Sequence, residues 1–178
     1  MKSKATRPKR REASEGIALT DEVRKLQNGE SMIDETKLQN FGADILIGAY
    51  EGGHCGLASW AMSEEGLLWG SENGDYELGE NISYASTILY RSDDDSETGY
   101  SEIPLAIDGK IIAEFVTKVG KGEFSQESLP DYGRMNPETL TLLAGVYLGL
   151  IAPEDADLDA ISNDNIVQMI LLGEVIYG

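Results

Sequence analysis

The sequence predicts an α+β fold, with a curved antiparallel β-meander of about five strands between N-terminal helices and a C-terminal pair of apolar helices. Two observations support this prediction. Between residues 52 and 122, short apolar segments alternate with acidic and glycine-containing turns, which is typical of a meander. On either side of that region, helix-capping residues precede runs in which apolar residues recur at helical spacing.

Two helices are predicted before the meander. Thr20 is a suitable N-cap for the first, which has an acidic first turn and would end at Asn28-Gly29. Ser31 and Asp34 have the spacing of a capping box and predict the start of the second. The second helix has an apolar stripe, formed by Leu38, Phe41, Ile45, Leu46 and Ala49.

The predicted strands are five short apolar segments, at residues 57–62, 67–69, 82–90, 103–107 and 110–118. Asn73-Gly74 and Asp108-Gly109 are dipeptides that favour the type I′ turns of hairpins. Apolar residues alternate on both sides of the second dipeptide: Ile103, Leu105 and Ile107 before it, Ile111, Ala113 and Phe115 after it. The sequence therefore predicts a hairpin that turns at Asp108-Gly109.

Two helices are predicted after the meander. Asn136-Pro137-Glu138 combines a cap, a proline at the first helical position and an acid in the first turn, and the helix should extend to about residue 151. Ser162 or Asn163 would cap the last helix, which should extend through Val175.

These last two helices have almost no polar face, which predicts burial on all sides. Two interpretations are open: the helices cover the sheet and each other, or part of their surface binds another subunit. The interface interpretation rests on six residues: Leu143, Tyr147, Ile151, Ile166, Ile170 and Val175.

Charge is distributed unevenly along the 178 residues. Residues 2–11 contain no acid and six basic residues, Lys2, Lys4, Arg7, Lys9, Arg10 and Arg11. The rest of the chain has the other eight of the 14 basic residues and all 32 acidic residues, a formal charge of −24. We therefore predict a flexible basic arm at residues 1–18 and a single acidic domain at residues 19–178.

The arm predicts contact with a polyanion, either a nucleic acid or an acidic protein subunit. Six positive charges can neutralise up to about six phosphates, which gives attachment that depends on salt and not on base sequence. The arm has no aromatic residue to stack on bases. A solubilising tail or a nuclear-localisation-like address is the other interpretation.

No catalytic, cofactor or metal site is predicted. The chain has one histidine and one cysteine, His54 and Cys55, which are neighbours and would point to opposite faces of an extended segment. A cysteine-dependent enzyme built on this pair is the least favoured alternative. No phosphate-binding glycine loop is present.

Two acidic loops begin like EF-hand calcium loops. The first starts at Asp94 and the second at Asp155, but the closing glutamate is replaced by Leu105 and Ile166, respectively. Solvated acidic turns are the better interpretation.

The longest apolar run, residues 140–152, has 13 residues, fewer than the ~20 needed to span a bilayer. The N-terminus lacks the apolar core of a secretion signal. These features predict a soluble chain without a membrane span, either cytoplasmic or associated with a particle.

Together these features predict a non-catalytic interaction or assembly protein, such as a structural component of a nucleoprotein particle or virion. Its partners would be other protein subunits, copies of itself or a scaffold, and nucleic acid through the arm. The alternative is an acidic mimic of nucleic acid that inhibits a DNA- or RNA-binding protein, which requires carboxylates in rows on one face.

Overall fold

The protein is described here by a computed structural model that covers residues 33–52, 56–70 and 84–177. Within these ranges the fold is mixed, with four α-helices and a four-stranded antiparallel sheet. The predicted α+β class is confirmed at this level. The basic arm, the predicted helix at Thr20, the Asn73-Gly74 turn and the pair His54 and Cys55 lie outside the described residues.

The helices are α1 (Glu35–Glu51), α2 (Gly109–Gly120), α3 (Pro137–Tyr147) and α4 (Ala160–Leu172). The strands are β1 (Ala61–Met62), β2 (Leu68–Gly70), β3 (Tyr84–Ser92) and β4 (Tyr100–Asp108). Three single 3₁₀ turns lie at Leu57–Ser59, Asp131–Gly133 and Pro153–Asp155. No helix among the described residues has both the length and the apolar character needed to cross a membrane.

Strand β3 is the centre of the sheet. Strand β4 pairs with one edge of β3, and β1 and β2 pair with the other edge, all antiparallel. Met62 lies opposite Tyr90 and Leu68 lies opposite Ser86, so seven residues of this edge span five residues of β3. The edge is therefore one interrupted strand.

Helix α1 confirms the predicted apolar stripe, because all five predicted residues are buried. The N-cap is Asp34, whose side chain accepts a hydrogen bond from the backbone N–H of Lys37 at 2.8 Å. Ser31, the predicted first residue of a capping box, lies outside the described residues. The helix starts at Glu35 because Asp34 itself satisfies a free N–H group of the first turn.

The predicted hairpin at Asp108-Gly109 is wrong, and the predicted strand at residues 110–118 is part of helix α2. Asp108 is the N-cap, and its Oδ1 accepts a hydrogen bond from the backbone N–H of Ile111 at 2.7 Å. Apolar residues in this segment recur at the spacing of a strand and also at the spacing of a helix. The helical set, which includes Ile112, Phe115 and Val116, is buried. An aspartate followed by glycine is suited to either structure, so the local pattern did not decide between them.

Close packing of α1 against the start of α2 favours the helix. Gly42 lies directly against the backbone of Gly109, with no room for a β-carbon at either position. Helices α1 and α2 pack against each other and against the sheet, while α4 packs on α1 and α3 packs on α2. The core lies between one face of the sheet and this helical layer.

The start of α3 confirms the prediction, with Asn136 as the N-cap and Pro137 in the first turn. The helix ends at Tyr147, earlier than predicted, and the following residues turn at Gly149, where φ is +67°. Helix α4 is capped by Asp159, not by Ser162 or Asn163, and it ends at Leu172.

Candidate functional site: the outer face of the sheet

The two faces of β3 have different surroundings. Ala85, Thr87 and Leu89 are buried against the helices. The residues between them, Ser86 and Ile88, point to the opposite face because side chains alternate along a strand. That opposite side is named the outer face here.

The outer face is mostly apolar. Strand register places six large or apolar residues on it, Met62, Leu68, Ile88, Tyr90, Pro104 and Ala106. The side chain of Leu68 is 53% exposed and that of Ile88 is 42% exposed, so no described helix covers them. Contiguous exposed apolar surface is a mark of interaction sites, whereas single exposed apolar residues are normal.

A shallow groove of about 190 Å³ runs between the strands on this face. Leu68, Ile88 and Ala106 line it, and Ile111 at the start of α2 closes one end. The groove gives the face a shape that can hold apolar side chains of a ligand.

The charged residues around the face are mainly acidic. Glu65 and Asp108 line the groove, and Glu102 is exposed two residues before Pro104 in β4. Lys110 is exposed at the corner where α2 begins, and none of the described lysines or arginines lies on the face itself. The face therefore suits a ligand that is apolar with positive charges at its margin.

The edges of the sheet do not favour addition of another strand. Pro104 has no N–H group to donate, and prolines and charges on edge strands oppose such pairing. The other edge is interrupted at residues 63–67, where the hydroxyl of Thr87 donates to the carbonyl oxygen of Gly66 at 3.0 Å. Gly66 has a φ of +74°, which a residue with a side chain rarely adopts. A ligand would bind through side-chain contacts across the face.

A second candidate is the buried carboxyl group of Asp164. The indole Nε1 of Trp60 donates to its Oδ1 at 2.8 Å, and Gln168 Nε2 donates to its Oδ2 at 2.7 Å. Burial raises the pKa of Asp164, and these two hydrogen bonds oppose the increase. Shifted carboxyl groups are candidates for acid–base chemistry. Here the residue is only 3% exposed and both oxygens are occupied, so Asp164 has a structural role.

Gln168 connects this carboxyl group to the C-terminal segment. Its Oε1 accepts hydrogen bonds from the backbone N–H groups of Ile176 and Tyr177, each at 2.8 Å. Its Nε2 also donates to the carbonyl oxygen of Tyr177. Gln168 is fully buried and uses its whole amide group to hold the end of the chain.

A third candidate is a polar cleft of about 560 Å³ beside α3, lined by Gln126, Asp131, Arg134 and Asn165 among others. Arg134 is already engaged there, since its Nε donates to the carbonyl oxygens of Gln126 and Leu129 and its Nη1 pairs with Asp131 at 2.9 Å. Arg134 holds the loop before α3. Its role in this cleft is therefore structural, and the cleft is a weaker candidate for ligand binding.

The acidic loops also have structural roles. Asp93 Oδ1 accepts a hydrogen bond from the backbone N–H of Asp95 at 3.0 Å, which holds the turn between β3 and β4. Asp159 caps α4, and hydrogen bonds from the backbone N–H and hydroxyl of Ser162 lower its pKa. Among the described residues, no group of three His, Cys, Asp or Glu side chains is arranged to hold a metal ion.

The residues proposed for an interface on the last two helices are mostly internal. Leu143, Tyr147, Ile166 and Val175 are buried in the core, and the remaining two, Ile151 and Ile170, are partly buried against it. Helices α1 and α2 cover α4 and α3, which gives these apolar residues partners within the chain. The outer face is the better candidate.

The outer face was missed in the sequence, although a signal was present. Strand β3 has apolar residues on both alternating sets, with Ala85 and Leu89 on one and Ile88 and Tyr90 on the other. Apolar residues on both sides of a strand are typical of strands that are covered on both faces.

In comparisons with known proteins, no family model, no curated protein sequence and no solved structure matches this chain.

Proposed function

We propose that this protein is a non-catalytic interaction and assembly protein that binds a protein partner across the outer face of its sheet. The exposure of Leu68 and Ile88 on the same face supports the proposal; Leu68 pairs with Ser86, and Ile88 lies two residues further along β3. Because each is already about half buried, covering these two side chains would contribute on the order of 1 kcal/mol each to binding.

The shape of the site supports binding through side chains. Both sheet edges are unsuited to strand addition, and the groove between Leu68 and Ala106 can accept apolar groups. Two of the six residues first considered for an interface, Ile151 and Ile170, lie on the helical side and could extend the contact of a larger scaffold.

The basic arm supports a second contact, with nucleic acid or an acidic subunit. It is made of Lys2, Lys4, Arg7, Lys9, Arg10 and Arg11. The remainder of the chain has a formal charge of −24 and repels polyanions, so the arm is the part suited to hold one. A structural component of a nucleoprotein particle or virion would combine these two contacts.

The outer face can be tested by placing a photo-reactive amino acid at Ile88 in the full chain, in the cells that produce it. Ile161 on α4 is the matched control, an isoleucine of similar exposure at 49%. We expect a discrete cross-linked product from position 88 and none from position 161. The isolated partner should bind the Ile88→Lys variant at least about tenfold more weakly, with little change for Ile161→Lys. Equal effects of the two variants, or no product from position 88, would contradict the proposal.

The arm can be tested separately with the full chain and a chain lacking residues 2–11. Binding to a fluorescent duplex and a single strand is measured across a salt series, with light scattering on the same samples. We expect binding by the full chain only, weakening steeply with salt. If neither chain binds, contact with nucleic acid is excluded and an acidic protein subunit remains the partner of the arm.

A further inference from the structure

We propose that the partner binds the outer face with a basic amphipathic helix, which lays apolar residues across the sheet and cationic residues beside the carboxylates at its margin. This inference rests on the proposed function, because it specifies the chemistry of the partner at the same face. Three properties of the face support it: the register of its strands, the size of its groove and the sign of the charge around it.

Strand pairing arranges the outer face in rows that run across the sheet. Residues that pair across neighbouring strands share a row, and three rows follow one another: Leu68 with Ser86 and Asp108, Ile88 with Ala106, and Met62 with Tyr90 and Pro104. Ser86 and Tyr90 are four residues apart in β3, so the first and last rows are separated by about 14 Å. Neighbouring strands are about 4.8 Å apart, which makes a row of three strands about 10 Å wide.

A helix has the dimensions of this surface. Its diameter with side chains is about 10 to 12 Å, and residues i and i+7 on one side are about 10.5 Å apart along the axis. Two turns of a helix laid along β3 can therefore contact all three rows. The apolar residues on both sides of β3 are typical of a strand covered on both faces, and the described helices cover only the inner one.

The groove has room for one large apolar side chain of such a helix. An apolar cavity of about 150 Å³ can hold a benzene-sized group. The groove is of similar volume, about 190 Å³, and Leu68, Ile88 and Ala106 contribute apolar walls to it. A leucine or phenylalanine of the partner would be the anchor.

The charges around the groove select a basic helix over an acidic one. Asp108 of β4 and Glu65, which precedes β2, both line the groove, and they lie on opposite sides of β3. Glu102 is exposed in β4, and the cation Lys110 lies at the corner where α2 begins. Lysine or arginine on both sides of an apolar stripe would therefore meet a carboxylate on each side of the anchor.

A second copy of the chain is less suited to this face. The chain has a formal net charge of −18, so two copies repel each other. The basic residues of the arm are concentrated in residues 2–11, where alanine is the only apolar residue and Pro8 opposes a helix. The arm therefore lacks the apolar stripe that the groove requires.

The experiment uses the full chain and three synthetic peptides of about 18 residues, long enough to form a helix. The first has leucines at i, i+4 and i+7 with lysines on both sides of them. The second replaces the lysines with glutamates, and the third arranges the residues of the first in strict alternation, which favours a strand. Fluorescence anisotropy measures binding across a salt series. We expect the basic helical peptide to bind at least about tenfold more tightly than the other two, and to weaken as salt increases. Equal binding of the three, or none by the first, would overturn the proposal.

The position of the peptide is tested with methyl-labelled isoleucine and leucine. The basic helical peptide should shift the methyl resonances of Leu68 and Ile88 and leave that of Ile161, an isoleucine of similar exposure on α4, in place. Ile88→Ser should weaken binding at least about tenfold, and Ile161→Ser should have little effect. Similar losses for the two variants would show that the peptide binds elsewhere.

The role of the carboxylates is tested with two double variants that remove the same charge. Glu65→Gln with Glu102→Gln should weaken binding of the basic helical peptide about fivefold at low salt. Glu123→Gln with Glu154→Gln changes two exposed acids on the helical side and should weaken it less than about twofold. Equal effects would show attraction to the acidic body as a whole and would contradict a basic site at the face.

Failure of this proposal and failure of the proposed function are distinguishable. If the basic helical peptide does not bind the face but a partner still cross-links at position 88, the proposed function stands and the partner has another chemistry. If the peptide binds the face and no partner is cross-linked at position 88, the chemistry of the face is as inferred and the proposed function is wrong.

Discussion

The rings of Trp60 and Tyr177 lie stacked in parallel, with centroids 5.6 Å apart and planes inclined by 5°. Trp60 precedes β1, and Tyr177 lies near the end of the chain, so the stack joins the interrupted edge of the sheet to the C-terminal segment. Arg91 at the end of β3 donates from Nε to the Tyr177 hydroxyl at 3.0 Å. The segment that contains Tyr177 is thereby an integral part of the fold.

Gln168→Leu should destabilise the protein strongly. The substitution would leave the backbone N–H groups of Ile176 and Tyr177 and one oxygen of Asp164 without their present partners. Each unsatisfied buried group costs about 1 to 3 kcal/mol, and partial exposure of the chain end would reduce the sum. We expect a loss of about 3 kcal/mol in urea unfolding. Gln39→Leu, at an exposed side-chain pair on α1, is the control and should change stability by less than about 0.5 kcal/mol.

Asp164 should make stability fall as the pH rises. Its pKa is raised by burial, so the folded state holds the proton more tightly than the unfolded state does. The resulting stabilisation is fully present below the unfolded pKa and is lost as the pH rises from about 4 through the folded pKa.

This effect can be isolated by comparing the native chain with Asp164→Asn in urea unfolding at a series of pH values. The free-energy advantage of the native chain over the variant should decrease as the pH rises from about 4, because the variant has no proton to lose at this position. The comparison cancels the contributions of the other carboxylates. A difference that stays constant or increases with pH would show that the hydrogen bonds from Trp60 and Gln168 outweigh burial.

Substitutions at two neighbouring positions of β3 should differ strongly in their effect on stability. Leu89→Ala removes a side chain that is almost fully buried and should cost about 2 to 5 kcal/mol. Ile88→Thr changes an exposed position to another β-branched residue and should cost less than about 0.5 kcal/mol in the absence of a partner. Urea unfolding of both variants tests the assignment of the two faces. A large loss for Ile88→Thr would indicate that the face is already covered.

Asp108→Ala should weaken the start of α2 by about 1 kcal/mol, since the N–H of Ile111 loses its partner. Asp108→Asn retains a side-chain oxygen at the N-cap and should cost only a few tenths of that amount. Urea unfolding of the two variants measures the difference. Equal stability of the two would argue against a capping role for this residue.

Parts of the fold were predictable because their signals are local. The stripe of α1 and the start of α3 each depend on residues within one helix, and both predictions are confirmed. The segment after Asp108 was not predictable in this way, since its apolar residues satisfy both a strand and a helical period within a short length. The close contact of Gly42 with Gly109, 67 positions apart in the numbering, favours the helix.

The sequence by itself determined the charge separation between arm and body, the mixed fold class and the presence of the main apolar segments. The tertiary structure alone decided which of these segments are buried. Leu143 and Ile166 became core because α1 and α2 cover them, while Leu68 and Ile88 stayed exposed because the helical layer lies on the other face of the sheet. It also decided the role of Asp164, whose hydrogen bond to Trp60 joins residues 104 positions apart. Periodicity reports which side chains share a face, and only packing determines what covers that face.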